Sequence, residues 1–537
     1  MGIPAMFSYI IRNHVNIIKK LECSTMQVNN LYLDCNSIIY DAVRSVDFSS
    51  LVESDVDTII SSVCLKIDEY ISQLKPDKNV FIAFDGVAPV AKLDQQRSRR
   101  YKSIYQNTIM RSIFKSTSPD PWNTTAITPG TIFMKRLNEK IYERYKDASK
   151  YGLEKIIISG SNEYGEGEHK LFQYIRSFPD EHQDVNTVIY GLDADLIMLS
   201  INHLPISNKI YLFRETPEFI KSINSELEPN ASYIMDIPEL AKAITLNMNN
   251  GLQLTTEQEK NRIYDYIFLC FFLGNDFMPH FPSINIRTGG VDKMLNAYKA
   301  TIGCTNENLT DGKTIFWKNL RKLVKFLADN EELNFKNETK NRDKRERFVM
   351  ADMTPEDKYK KFDAIPNYER SLEKYINPYK SNWQTRYYRS LFNIDIDDDS
   401  RRQICINYLE GLEWTMKYYT TGCPDWRWCY KYNYPPLLCD LIHFIPFFET
   451  EMVAKKPPKP VTELVQLCYV LPRQSLHFLP EKLYDNLLKE HNDWYNTDCD
   501  YVWAYCRYFW EAHVNLPDIN IEELENFVTN CKYNIYL

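Results

Sequence analysis

Short apolar runs that stop on an acid punctuate the first two hundred residues. They are Leu31-Tyr32-Leu33-Asp34, Val80-Phe81-Ile82-Ala83-Phe84-Asp85, Ile156-Ile157-Ile158 ahead of Glu166 and Glu168, and Val188-Ile189-Tyr190-Gly191-Leu192-Asp193. Unbroken β-branched runs of this length predict strands buried on both faces, as in a parallel sheet. Ile210-Tyr211-Leu212-Phe213 closes the series, and helix-like segments fill the intervals between residues 28 and 215. That alternation predicts βαβ units and an α/β fold, doubly wound on a mostly parallel sheet. Residues 257–273 read as a buried helix that runs into Gly274-Asn275-Asp276.

The pattern changes near residue 330. Lys336, Lys340, Arg342, Lys344, Arg345 and Arg347 interleave with acids and show no regular apolar face, which predicts a charged linker or solvated helix. Beyond it, Ile404, Leu409, Leu412, Met416 and Tyr419 recur near helical spacing, with Asp397 to Ser400 as an N-terminal cap. The expected division is 1–330 (α/β domain), 331–365 (linker or solvated helix) and 366–537, a mainly helical second region packed on the first.

Composition narrows the class without choosing a function. Charged residues make up 25% of the chain, as in ordinary globular proteins, and the net charge of −8 does not advertise a polyanionic partner. A local basic pocket is compatible with that balance. The 13 cysteines contain no C-x-x-C pair or zinc spacing, so free thiols in a reducing compartment are expected. Met1-Gly2-Ile3-Pro4 leads into no apolar signal region, and the stretch Ile263 to Leu273 is too short to span a bilayer. A soluble intracellular protein with no membrane partner is expected.

In open parallel sheets, ligands bind beyond the carboxyl ends of the strands, where these acids converge. Any single Asp there could simply cap the next helix. Four strand ends with doublets at two of them favour a cation site, because crowded carboxylates repel one another unless positive charge lies between them. Gly165-Glu166-Gly167-Glu168-His169-Lys170 is read as an extended turn ahead of a helix starting near Lys170, with both carboxylates to one side. Asp193-Ala194-Asp195 repeats the spacing. With Asp34, Asp85 and Asp276 the candidates number seven, enough for two Mg²⁺ ions about 3.5–4 Å apart serving phosphodiester cleavage. His169 is expected to be structural, and Lys170 to neutralise neighbouring acids.

Lys92, Gln96, Arg99 and Arg100 fall at i, i+4, i+7 and i+8, on one helix face just after the Asp85 strand end. A generic basic helix face would account for the charges; their place beside the acids favours a receptor for a terminal phosphate. In the second region Trp414 reads as core, whereas Trp426 and Trp428 lie in a loop where one of them could stack on a nucleic-acid base.

Together these motifs resemble the XRN family of 5′→3′ exoribonucleases. The resemblance rests on Met1 to Pro4, Leu33-Asp34-Cys35-Asn36, Asp85 to Pro89 with the Lys92–Arg100 run, Gly165 to Lys170, Gly191 to Asp195 and Gly274 to His280. In the second region it rests on Trp383 to Phe392, Glu410 to Trp414 and Trp426 to Pro435. It implies a PIN/flap-nuclease-like fold and a processive, Mg²⁺-dependent enzyme (Mn²⁺ as a substitute) that hydrolyses single-stranded RNA to mononucleotides. Asp34, Asp85, Glu166, Glu168, Asp193, Asp195 and Asp276 would hold the metals, and Lys92, Gln96, Arg99 and Arg100 the 5′-monophosphate. The implied setting is mRNA decay in the cytoplasm, including a viral protein in a host cytoplasm, by a monomer supplied by decapping factors or helicases.

Tyr40 stands where the family usually has a base-stacking histidine, and Leu93 and Asp94 replace the commoner Met and Asn. A zinc-knuckle insertion and long C-terminal extensions are lacking, which reads as a pared-down catalytic unit. Two rival readings are a structure-specific flap-type endonuclease and an inactive RNA-binding scaffold. The basic stripe argues against the first, and the full set of acids against the second.

Overall fold

The computed structural model describes residues 5–23, 25–46, 55–115 and 122–533, so the Met1-Gly2-Ile3-Pro4 motif lies outside the described residues. Seven strands form the main sheet: β1 (Ile18–Lys20), β2 (Asn30–Asp34), β3 (Asn79–Ala83), β4 (Lys155–Ser159), β5 (Thr187–Tyr190), β6 (Ile210–Glu215) and β7 (Ser232–Asp236). Their spatial order is β1-β7-β6-β5-β2-β3-β4. The five strands from β6 to β4 are parallel, as the apolar runs predict. Two antiparallel strands, β7 and β1, extend the sheet beyond β6.

Alternate residues of each strand enter opposite layers. Tyr32, Phe81, Ile189 and Leu212 pack with helices Gly167–Ser177, Asp195–His203 and Thr256–Phe271. Leu31, Leu33, Val80, Ile82, Val188 and Tyr190 pack with helices Asn36–Ser45, Asp55–Leu74 and Ile132–Tyr145. Both faces are covered, which explains why these strands read as continuous apolar runs.

The second region shares this core. Its helix Asp398–Thr420 buries Tyr408, Leu412, Trp414, Met416 and Tyr419 in the same cluster as the sheet's first layer. Its N-terminus is capped by Asp397, which accepts from the Ser400 N–H at 2.6 Å.

Residues 331–365 are helical, and only the second of their two helices is without buried residues. They form helices Glu331–Glu346 and Pro355–Asp363, and the first is anchored along one edge. Phe335, Glu338 and Arg342 are buried there, and Arg342 pairs with Glu373 at 2.7 Å and donates to the Pro366 carbonyl at 2.8 Å. A stripe of paired charges hides an interior edge from hydropathy, because only Phe335 supplies the apolar signal.

The long helix Val90–Phe114 leaves the sheet just after Asp85, carrying the basic stripe. Helix Glu463–Val470 packs against it, and Gln466 Oε1 accepts from the Ala88 N–H at 3.3 Å. Arg97, buried, donates to the carbonyls of Pro517 at 2.8 Å and Trp494 at 3.0 Å. The helix is thereby held between the sheet and the C-terminal segment.

Candidate active site

Parallel β2, β3, β4 and β5 end on the same side, so the residues after them meet there. Gly167 marks how closely: a β-carbon on it would lie 2.7 Å from Asp34 Oδ1 and 3.4 Å from Asp85 Oδ1. Only glycine lets the chain after β4 pass so near the two acids. Asp85 Oδ1 accepts the Gly167 N–H at 2.6 Å, Asn36 donates to Asp85 Oδ2, and Asn36 Oδ1 accepts the Asp85 N–H at 3.1 Å.

The helix expected near Lys170 begins at Gly167, three residues earlier. Glu166 is therefore its N-cap residue and Glu168 lies in its first turn, so the pair does not form an extended turn. Glu166 makes no side-chain cap, the Gly167 N–H being taken by Asp85 instead, and acids suit that positive end. Asp195 likewise opens helix Asp195–His203 and donates its N–H to Asp193 Oδ1 at 3.2 Å. Glu166, Glu168 and Asp195 are all buried.

Crowding shows in the acidities. Burial, then Asp85 and Asp193, raises Asp34 well above the usual carboxylate range. Burial, then Asp193 and Asp195, does the same to Glu168. Asp195 is pushed up to about 8 by burial and by Asp193 and Asp276. One cation relieves part of this repulsion: Lys92 Nζ lies 2.5 Å from Glu166 Oε2 and 2.7 Å from Asp276 Oδ2. Although burial opposes its charge, Asp276 and Glu166 raise Lys92 well above its usual value. Asp276, despite its own burial, is held well below the carboxylate range by Lys92.

Among the described residues, no three His, Cys, Asp or Glu side chains already converge at metal-ligand spacing. The donor set nevertheless fits hard cations. Asp34 Oδ1 and Asp195 Oδ1 are buried without a hydrogen-bond partner, and a buried carboxylate oxygen left so is costly unless a cation takes it up.

The rest of the basic stripe lies further along the helix. Gln96 and Arg99 are half-buried. Arg100 donates through Nη2 to Thr128 Oγ1 at 2.6 Å, while its Nη1 is buried without a partner. Burial lowers Arg100 to about 10, opposed by nearby Tyr40, so Tyr40 and Arg100 share one locality.

Trp426 is buried and meets Tyr164 edge-on at 5.2 Å. Trp428 is half-buried and stacked on Trp414 at 5.2 Å.

Lys170 lies within electrostatic reach of Asp85, Glu163 and Asp34. Its Nζ donates to the carbonyls of Phe84 at 2.7 Å and Gly160 at 2.8 Å, tying two strand ends rather than pairing with an acid. Burial lowers it to about 8. The His169 ring stacks on Tyr418 at 3.8 Å, and its buried Nδ1 has no hydrogen-bond partner. Tyr418 is the participant that sequence reasoning missed, and its hydroxyl donates to Glu166 Oε1 at 2.7 Å.

Acids thus gather at the carboxyl edge of a mostly parallel α/β sheet, beside a helix that carries cations. Residues 1–216 match the model described as XRN 5′-3′ exonuclease N-terminus, and residues 257–374 and 367–535 match that of the Xrn1 helical domain. The chain belongs to the XRN 5′-3′ exonuclease family.

A relative from Drosophila melanogaster, a 5′-3′ exoribonuclease 2 homolog, is 26% identical over 98% of this chain and 70% of its own length. The 5′-3′ exoribonuclease 1 of Saccharomyces cerevisiae is 25% identical over 89% of this chain, which spans only 40% of that protein. The 5′-3′ exoribonuclease 2 of Gallus gallus is 26% identical over 98% of the chain and 69% of its own length. Among solved structures, the catalytic core of Rad2 in complex with DNA substrate aligns with a TM-score of 0.31 at 16% identity, over 68% of this chain and 84% of that one.

Proposed function

We propose that this chain is a processive 5′→3′ exoribonuclease that hydrolyses single-stranded RNA with a 5′-monophosphate to mononucleotides. The observation that carries the reading is the pair of orphaned, buried oxygens, Asp34 Oδ1 and Asp195 Oδ1, on acids that neighbouring carboxylates crowd. Asp34, Asp85, Glu166, Glu168, Asp193, Asp195 and Asp276 would hold two Mg²⁺ ions, with Mn²⁺ as a substitute. Ions bound there would supply an activated water and stabilise the leaving oxygen.

The chain's own groups do the positioning. Asn36 and the Gly167 N–H hold Asp85, and Tyr418 holds Glu166. Gln96, Arg99 and Arg100, joined by Lys92, bind the 5′-phosphate, and the unpartnered Arg100 Nη1 supports that assignment. Tyr40 and the half-exposed Trp428 stack on the leading bases. The setting that fits is cytoplasmic mRNA decay by a monomer fed by decapping factors or helicases.

End-labelled RNA with Mg²⁺ tests the reading. RNA with a 5′-monophosphate should decay to mononucleotides, and its 5′-triphosphate and 5′-hydroxyl forms should persist. Equal decay of all three would remove the phosphate pocket. Asp193→Ala should abolish turnover while RNA binding survives, and matched DNA sets the sugar preference.

A further inference from the structure

A cavity of about 240 Å³ lies along a second side of helix Val90–Phe114, beside the acid cluster. Ala91, Gln95, Ser98 and Lys102 line it, at i, i+4, i+7 and i+11, whereas Lys92, Gln96 and Arg100 of the phosphate-binding stripe do not. Two residues are shared with the site already described: Asp276, whose carboxylate meets Lys92, and Arg99. The lining runs from Asp276, with its side chain 5% exposed, to Asn433, which faces solvent. The cavity thus joins the acid cluster to the exterior by a path other than the basic stripe.

Its chemistry is that of a nucleotide site. Four lining side chains carry buried polar atoms without a hydrogen-bond partner: Gln95 Oε1 (an acceptor), Asn275 Nδ2 (a donor), His280 Nε2, and Glu511 Oε1, which is ion-paired with Arg287 at 2.6 Å. The amides of Gln95 and Asn275 and the imidazole of His280 bring donors and acceptors to the lining, which suits the mixed donor–acceptor edge of a nucleobase. Trp510 and Tyr432, both half-buried, add aromatic faces, and Arg99 adds a cation for a phosphate. A cavity of this size takes one small ligand and not a stacked strand.

We propose that this cavity binds the nucleoside 5′-monophosphate released by hydrolysis and conducts it to solvent past Asn433. This rests on the exoribonuclease reading, since it needs a mononucleotide product. Release by a separate route lets the strand advance along the stripe without waiting for product to back out.

The test uses Ser98→Trp, which fills the cavity, and Asn433→Trp, which blocks its solvent-facing end. Neither residue belongs to the proposed catalytic or phosphate-binding set. Binding of 5′-AMP is measured by equilibrium dialysis without divalent ions, alongside steady-state and single-turnover decay of 5′-phosphorylated RNA. Both variants should weaken AMP binding about tenfold. They should also lower steady-state turnover while leaving the first cleavage unchanged. Should Ser98→Trp fail to fold, Asn433→Trp, at a solvent-exposed position, decides the matter. If RNA is degraded but AMP affinity is unchanged in the folded variants, or the wild type binds no AMP, the cavity proposal falls alone. If AMP binds in a cavity-dependent way and no RNA is degraded, the exoribonuclease reading falls and the nucleotide site stands without its role in product release.

Discussion

The hydroxyl of Tyr418 donates to Glu166 Oε1 at 2.7 Å, joining the helical second region directly to the acid cluster. The two residues lie 252 positions apart in the chain, and both are buried. The second region therefore helps set the geometry of the cluster as well as covering it.

Replacing Tyr418 with Phe should isolate that contribution. A hydrogen bond to a charged group is worth about 1.5–3 kcal/mol, so turnover of 5′-phosphorylated RNA should fall roughly tenfold or more. The KM should stay within about twofold. A lowered melting temperature with unchanged turnover would show that the contact only stabilises the fold.

Crowded acids should cost stability when no metal is bound. Asp34→Asn removes one charge from the most congested point, beside Asp85 and Asp193. In EDTA this variant should melt roughly 2 °C or more above the wild type. Excess Mg²⁺ should raise the wild type more than the variant. Identical melting curves in both buffers would contradict a cation site at Asp34.

The two loop tryptophans should part ways. Trp428→Ala, at the half-exposed ring, should raise the KM for single-stranded RNA, since a stacked base is worth about 1–3 kcal/mol. Trp426→Ala, at a ring only 7% exposed, should chiefly lower the melting temperature. The reverse pattern in paired kinetic and melting measurements would reassign the stacking residue.

A pH dependence should arise far from the acid cluster. Burial pushes Glu331 up to about 7, opposed by the backbone N–H groups of Leu438 at 2.7 Å and Cys439 at 3.0 Å. Burial likewise brings Asp265 to about 7. The folded state holds protons that the unfolded chain releases between about pH 4 and 7. Stability from these groups is thus fully present below the unfolded values and is lost as pH rises through 7, by up to about 1.4 kcal/mol per unit for each group. Glu331→Gln should flatten the slope in denaturant titrations; an unaltered slope would mean Glu331 is ionised throughout.

How much of this was legible in the chain depended on where the signal lay. The five parallel strands could be read because burial on both faces leaves uninterrupted apolar runs, and the acids could be read because they follow such runs, Asp276 alone following an apolar helix. β1, Ile18–Lys20, is too short and too basic to stand out, and β7, Ser232–Asp236, begins and ends on polar residues. Arg342 was misleading in the opposite sense: its charge suggests solvent, but its partner Glu373 lies 31 residues away. Tyr418 was invisible because an aromatic residue on a buried helix looks like packing. Pairings between distant segments leave no periodic trace.

Lys92 has a consequence for how the site is assembled. An ammonium already seated between Glu166 and Asp276 acts as a stored counter-charge, so the fold can close around its acids before any metal arrives. On the proposed metal reading, loading a divalent ion at those two carboxylates would be an ion exchange rather than an addition. Its affinity would reflect the difference between two cations competing for the same oxygens, and the lysine set free by that exchange lies on the helix that carries the basic stripe.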